Sequence, residues 1–220
     1  MAGGAPPLML WAWEEPEDLR TMNPQTTGVA FLAGRLWLAQ DATLVPRHQP
    51  IAVAPGAWAE AVIRLEATRA FSDTPKLRAE AATAILHVAG LKAIGGIQVD
   101  FDAAASQQAF YAEVLSRVRA GLPQGMTLSI TALVSWCAQS DSWLHRLPAH
   151  TIDAAVPMYF RLGQHAGRWP VREPLCAASV GASMDEMATA PRPLSGQRLY
   201  LFAPRPWTPT TIALAQGERR

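Results

Sequence analysis

Eight short apolar runs recur along the chain, at residues 8–13, 28–38, 61–67, 95–102, 127–136, 152–160, 176–182 and 198–203. Their length and composition read as strands. Two of the gaps between them carry helical spacing instead. In "TPKLRAEAATAILHVAG", Leu77, Ala81, Ala84, Ile85 and Val88 fall on one helical face, and Gly90 stands where a helix stops. In "SQQAFYAEVLSRVRAG", Ser106 is placed as an N-cap, Phe110, Val114, Leu115 and Val118 form the stripe, and Gly121 ends it. The middle of the chain therefore alternates strand, helix, strand, helix, strand. Parallel strands need such crossovers, and eight of them predict a closed barrel rather than an open sheet. The expected fold is of the α/β class, a lean or irregular (β/α)8 TIM-type barrel occupying residues 1–220 as a single domain. It must be lean because about 250 residues is typical of eightfold barrels. "RLGQHAGRWPVREP" and "MATAPRPLSGQ" accordingly read as loops or a single helical turn. An open α/β sheet is the alternative, but its first strand is usually followed by a glycine-rich phosphate turn, and "WAWEEPEDL" is nothing of the kind.

Half of the 220 residues are hydrophobic and no break in composition divides the chain, which fits one core. The formal charge is +1 with scattered basic residues, so no electrostatic footprint points to nucleic acid. No apolar run approaches the ~18 residues of a membrane span. The N-terminal "MAGGAPPLMLWAW" lacks a basic leader, which fits a cytoplasmic protein; a signal peptide already removed would leave the same trace and place it in the cell envelope or periplasm. The five histidines, His48, His87, His145, His150 and His165, do not fall at ligand spacing, so neither a metal nor an organic cofactor is expected. Cys137 follows the fifth run and Cys176 opens the seventh, at opposite ends of a barrel, and the two are expected to be unbonded.

The chemistry concentrates in "GGIQVDFDA", Gly95 to Ala103. Side chains alternate along a strand, so Ile97, Val99 and Phe101 face the helices while Gln98, Asp100 and Asp102 line the barrel interior, the last at the strand tip. "AVIRLEA" repeats the logic: Ile63 and Leu65 point out, Arg64 and Glu66 in. "TLSITALVSW" offers Ser129, Thr131 and Ser135 to the same interior. An ion pair between Arg64 and Asp100 would account for one acid. It leaves Glu66 and Asp102 in surplus, and surplus buried carboxylates are costly unless protonated or bonded.

These residues also carry a resemblance. "GGIQVDFDA" resembles the fourth-strand signature DGxDxDxE of chitinase-like glycoside hydrolases of family eighteen, with Gly96, Asp100 and Asp102 on its glycine, last aspartate and terminal glutamate. It is similar, too, to the "GI…DDA" strand of barrel hydrolases that cut partly deacetylated poly-N-acetylglucosamine. Taken together, "WAWEEPEDL", "GVAFLAG", "GGIQVDFDA", "LSITALVSWC" and "AVPMYFRLG" resemble bacterial domain-of-unknown-function family 3142. Two positions depart from the chitinase pattern: Gln98 replaces the middle aspartate, and Asp102 is one methylene shorter than the glutamate. The resemblance further implies that Met158 and Tyr159 orient a sugar substituent and that Trp207, in "FAPRPW", forms the floor of a sugar site.

The reading that follows is a glycoside-hydrolase-like barrel acting on a polysaccharide or oligosaccharide, an amino-sugar polymer of the bacterial envelope being the class implied. Asp102 is the expected general acid, Asp100 its orienting or charge-stabilising partner, and Glu66 the second carboxylate. Glu14, Trp13, Arg64, Gln98, Tyr159 and Trp207 are the expected substrate-binding residues. A catalytically inactive carbohydrate-binding barrel is the alternative, and a metal-dependent hydrolase using Asp100, Asp102 and Glu66 a third reading.

Overall fold

The structure of the protein is a computed structural model that describes residues 4–162 and 169–217. His165 and the centre of the "RLGQHAGRWPVREP" segment lie outside the described residues. Eight parallel strands close into a barrel: β1 (Leu8–Ala12), β3 (Thr27–Leu38), β6 (Ala59–Ala67), β7 (Gly96–Asp100), β8 (Thr127–Leu133), β9 (Ala154–Met158), β10 (Ser179–Ser183) and β11 (Arg198–Phe202). Closure is made where β1 pairs with both β3 and β11, so no barrel strand is left with an open edge. All eight runs read from the sequence are present, and the fold is the expected barrel. Three short strands were not anticipated. β4 (Ala42–Pro46) folds back antiparallel on β3, and β2 (Glu17–Leu19) pairs with β5 (Ile51–Val53) outside the barrel.

Helices cover only part of the outside. α1 (Pro75–Ala89) is capped by the Thr74 side chain, which accepts from the Leu77 N–H, and Gly90 follows its end. α2 (Gln108–Gly121) starts one residue later than expected, because a 3-10 turn at Ala105–Gln107 precedes it; Ser106 lies inside that turn and is not the cap. The stripes of both helices, including Leu77, Ile85, Phe110, Val114 and Val118, pack on Ile63, Leu65, Ile97, Val99 and Phe101 in one outer core. Tyr111 anchors α2 by donating its hydroxyl to the Val99 carbonyl at 3.0 Å. Elsewhere the barrel is lean, with α3 (Val134–Ala138), 3-10 turns, and α4 (Pro209–Ala215) after the last strand.

One expectation is overturned here. Cys137 and Cys176 are disulfide-bonded, with Cα atoms 5.8 Å apart. The run at 127–136 does not stay a strand to its end: β8 stops at Leu133 and α3 turns the chain back along the outside, taking Ser135 out of the interior and Cys137 with it. Cys176 sits in a 3-10 turn at Pro174–Cys176, before β10 begins rather than at its start. The Arg172 and Glu173 N–H groups both donate to the Cys137 carbonyl, and the two cysteines meet in the outer core, fully buried.

A break in β3 prepares the site. Ala30 and Leu32 stand level with Glu60 and Val62 of β6, but the register then shifts so that Gly34 faces Ile63 and Arg35 faces Arg64. A bulge of one residue reverses the alternation. Phe31 and Ala33 are outer residues below it, Leu36 and Leu38 above it, and Arg35 and Trp37 turn to the inner face. Gly34 is required there, because a Cβ would lie 2.8 Å from the Val45 carbonyl of β4.

Candidate active site

At the C-terminal mouth of the barrel, where parallel barrels carry their sites, lies a groove of about 390 Å³. One side is aromatic: Trp11 and Trp13 meet edge to face at 5.9 Å, and Phe160 packs 6.0 Å from Trp11 and 5.7 Å from Phe202. Asp100 and Asp102 stand beside Arg64 on β7 and β6, away from those rings, whereas Asp185 and Glu186 after β10 lie between Phe160 and Phe202, with Arg161 beside them.

Arg64 organises the acids. Its Nη1 donates to Asp100 at 2.9 Å, its Nη2 to Asp102 at 2.8 Å and its Nε to Glu66 at 3.2 Å. The bulge in β3 brings a second guanidinium, Arg35, which donates to Glu66 at 2.9 Å and to Glu14 at 2.7 Å. A chain of alternating charge thus runs Glu14, Arg35, Glu66, Arg64, then forks to Asp100 and Asp102. Asp100 is buried and also accepts from the Thr131 hydroxyl at 2.6 Å. Burial pushes its carboxyl up from the ordinary aspartate range, while Arg64 and Thr131 pull back against that. For Arg64 burial acts to lower basicity, but Asp100 and Asp102 outweigh it and the guanidinium stays charged. Asp102 differs from its neighbours in exposure: its side chain is 54% accessible, against 9% for Asp100. Among the described residues no three Asp, Glu, His or Cys side chains gather so as to hold a metal ion, and the Arg64 guanidinium occupies the point where Asp100, Asp102 and Glu66 converge.

Several residues expected in the site are elsewhere. Gln98 is fully buried below it, donating to Ser129 Oγ at 3.1 Å with its own Oε1 unpartnered among the described residues. Glu66 and Glu14 belong to the ion chain beside the groove and are not in its lining. Tyr159 points away from the opening: it is 3% exposed, packed with Val134 and Val180, because Met158 and Phe160 take the inward positions around it. Trp207 is not a floor for ligand either. It is 4% exposed in the outer core with Leu10, Leu201 and Ile212, its indole N–H donating to the Trp11 carbonyl at 2.9 Å and its backbone N–H to Glu17 at 2.8 Å. The segment Pro204–Arg205–Pro206 carries it past the strand end and outward, which spacing alone could not reveal. Trp13 and Arg64 line the groove.

Other groups went unforeseen. Asp185 and Glu186 follow β10 in a 3-10 turn without strand periodicity; Ser183 donates to Asp185, and Glu186 accepts the Arg161 N–H at 2.8 Å. Arg161 itself has φ of 54°, a conformation that costs a residue with a side chain. Glu60 lies deep in the barrel, fully desolvated and raised in pKa by that burial, with Ser129 and Tyr200 hydroxyls donating to it at 2.8 and 3.0 Å. Its strand begins at Ala59, two residues ahead of the apolar run, so the alternation that found Arg64 and Glu66 did not extend back to it.

Residues 56–156 match a family described as a domain of unknown function (DUF3142), in agreement with the resemblance read from the sequence. The match covers just under half the chain and contains Arg64, Glu66, Asp100 and Asp102. Among solved structures, the chain is similar to a putative chitinase A from Streptomyces coelicolor at 9% identity and a TM-score of 0.59, over 97% of this chain and 95% of that one. It is also similar to the Bacillus cereus spore cortex-lytic enzyme SleL at 17% identity and a TM-score of 0.55, over 83% of this chain. The chain spans 52% of the length of the SleL structure. At these identities the likeness establishes the barrel fold. No curated protein sequence matches the chain.

Proposed function

We propose that the groove binds a polysaccharide or oligosaccharide, with an amino-sugar polymer as the substrate class, and that the protein cleaves it by carboxylate acid/base chemistry with Asp102 as general acid. The observation that carries this reading is the placement of a half-exposed Asp102 over a buried Asp100 in a groove whose opposite side is tryptophan. Aromatic rings offer the apolar faces of sugars a stacking surface, and carboxylates accept from their hydroxyls. The similarity of the barrel to enzymes named for chitin and for spore cortex supports the amino-sugar class.

Asp102 is tethered through Oδ2 alone, so among the three acids on Arg64 it has the freedom to reach a substrate. In the proposed reaction a bound sugar draws Asp102 off the guanidinium, and Asp102 acts as the carboxylic acid after taking up a proton from solvent. The proton then passes from Asp102 to the glycosidic oxygen, the leaving sugar departs as an alcohol, and Asp100, paired with Arg64, faces the positive charge that develops at the anomeric carbon. Water adds to that carbon and returns a proton to Asp102. Glu66, clamped by two arginines, holds Arg64 in place and takes no part in the proton transfer.

A second reading, a barrel that binds glycans without cleaving them, is favoured by the same Arg64 fork, since an aspartate that never leaves its guanidinium donates no proton. An oligosaccharide array read for both binding and cleavage separates the two, using wild type beside Asp102→Asn. Cleavage by wild type that the variant loses supports the hydrolase. Binding by both proteins with cleavage by neither supports the binding barrel, and an array with no bound glycan retires both.

A further inference from the structure

β3 has twelve residues and β6 nine, whereas β7, which ends at Asp100, has five, so the first two overshoot the rim of the barrel on one side. With β4 they form a raised three-stranded wall beside the groove. The back of the wall is sealed, because Leu36, Leu38, Leu65 and Leu44 pack into the α1 core. The front is not. It carries Arg64 and Glu66 from β6 and, above the bulge, Arg35 and Trp37 from β3. Arg35, Arg64 and Asp100 stand level in register, and Trp37 stands level with Glu66 one step higher. Trp37 is 43% exposed, a large aromatic surface that serves no core.

We propose that Trp37 is a stacking platform for a distal sugar of a glycan chain that runs from the groove up the front of this wall, an inference that rests on the glycan reading of the groove. The wall is continuous with the groove through Arg64, which belongs to both. Its chemistry suits a sugar, with an indole face for the ring and the Glu66 carboxylate and Thr43 hydroxyl flanking it for hydroxyl groups. Trp37 stands on β3, two strands across from β7, so on ordinary sheet spacing about 10 Å separates it from the strand that leads to Asp102. A single sugar at Asp102 does not span that distance, whereas a chain does. The inference therefore makes the ligand a polymer read at several positions.

The test uses the whole protein in an Asp102→Asn background, so that bound sugar is not consumed, and titrates β-1,4-linked N-acetylglucosamine disaccharide and hexasaccharide. Trp37→Ala is expected to weaken the hexasaccharide roughly threefold to tenfold, leave the disaccharide unchanged and leave the melting temperature unchanged, while Trp37→Phe retains most of the affinity. A Trp37→Ala protein that binds the hexasaccharide as its parent does, with both sugars still lost in Trp13→Ala, overturns the platform and leaves the glycan reading standing. A parent that binds neither sugar overturns the glycan reading and this inference with it. If Trp37→Ala instead dissolves a dimer in sedimentation with sugar binding unaltered, the wall belongs to a second copy of the chain and the platform falls.

Discussion

Arg64 is where the competing demands on the site meet. One guanidinium serves three carboxylates, so every neighbouring substitution also changes what Arg64 is left holding. Asp102→Asn keeps shape and still accepts from Arg64 but carries no transferable proton. It is expected to lower turnover ~100-fold or more with sugar affinity within about tenfold, checked by single-turnover assays beside a binding titration. Glu60 makes a separate prediction, about stability. Its folded pKa is raised above 4.5 by burial, so above that pH the native state holds a proton that the unfolded chain releases, and stability falls as pH rises until Glu60 itself ionises. Glu60→Gln removes that fall. Denaturant midpoints measured from pH 4.5 upward should decline more steeply in wild type than in the variant, and parallel curves would show that Glu60 titrates as it does in the unfolded chain. The sequence made the inward set of β6 and β7 legible because "VIRLEA" and "IQVDFD" keep strict alternation. It concealed Glu60, which precedes the apolar run, and Arg35, whose inward aim depends on a bulge that breaks the alternation.

Elements, rather than residues, explain two of the expectations that failed. Trp207 and the disulfide both depend on where a strand stops and how the chain turns afterwards, and apolar runs mark strand centres better than strand ends. β8 gives way to α3 inside what reads as one run, which moves Cys137 onto the outside of the sheet. The bridge closes a loop spanning a sequence separation of 39, for which chain entropy gives about 4 kcal/mol. Cys137→Ala with Cys176→Ala should lower unfolding free energy on that scale in urea, and an unchanged midpoint would mean that the cross-link adds nothing to a well-packed layer. Trp207 fills the core between β1, β11 and α4. Trp207→Ala should cost ~3 to 5 kcal/mol of stability while leaving affinity per folded molecule unaltered, which is the reverse of the behaviour of a sugar platform.

On the scale of the whole molecule, the barrel is economical on the outside and specialised at one end. Two full helices cover the strands that carry Arg64 and Asp100, short turns cover much of the rest, and β3 and β6 spend their extra length on a wall at the mouth. The overall architecture was readable from the number and spacing of apolar runs. The aromatic side of the groove was readable only at Trp13, since Phe160 and Phe202 sit at strand ends whose direction the fold decides. If this groove binds a glycan, Trp11 and Trp13 in its lining report on it directly. Intrinsic tryptophan fluorescence, titrated with amino-sugar oligosaccharides, should show a saturable change in wild type that survives in Asp102→Asn and disappears in Trp13→Ala; a saturable change that Trp13→Ala leaves intact, or no change with any oligosaccharide, would contradict it.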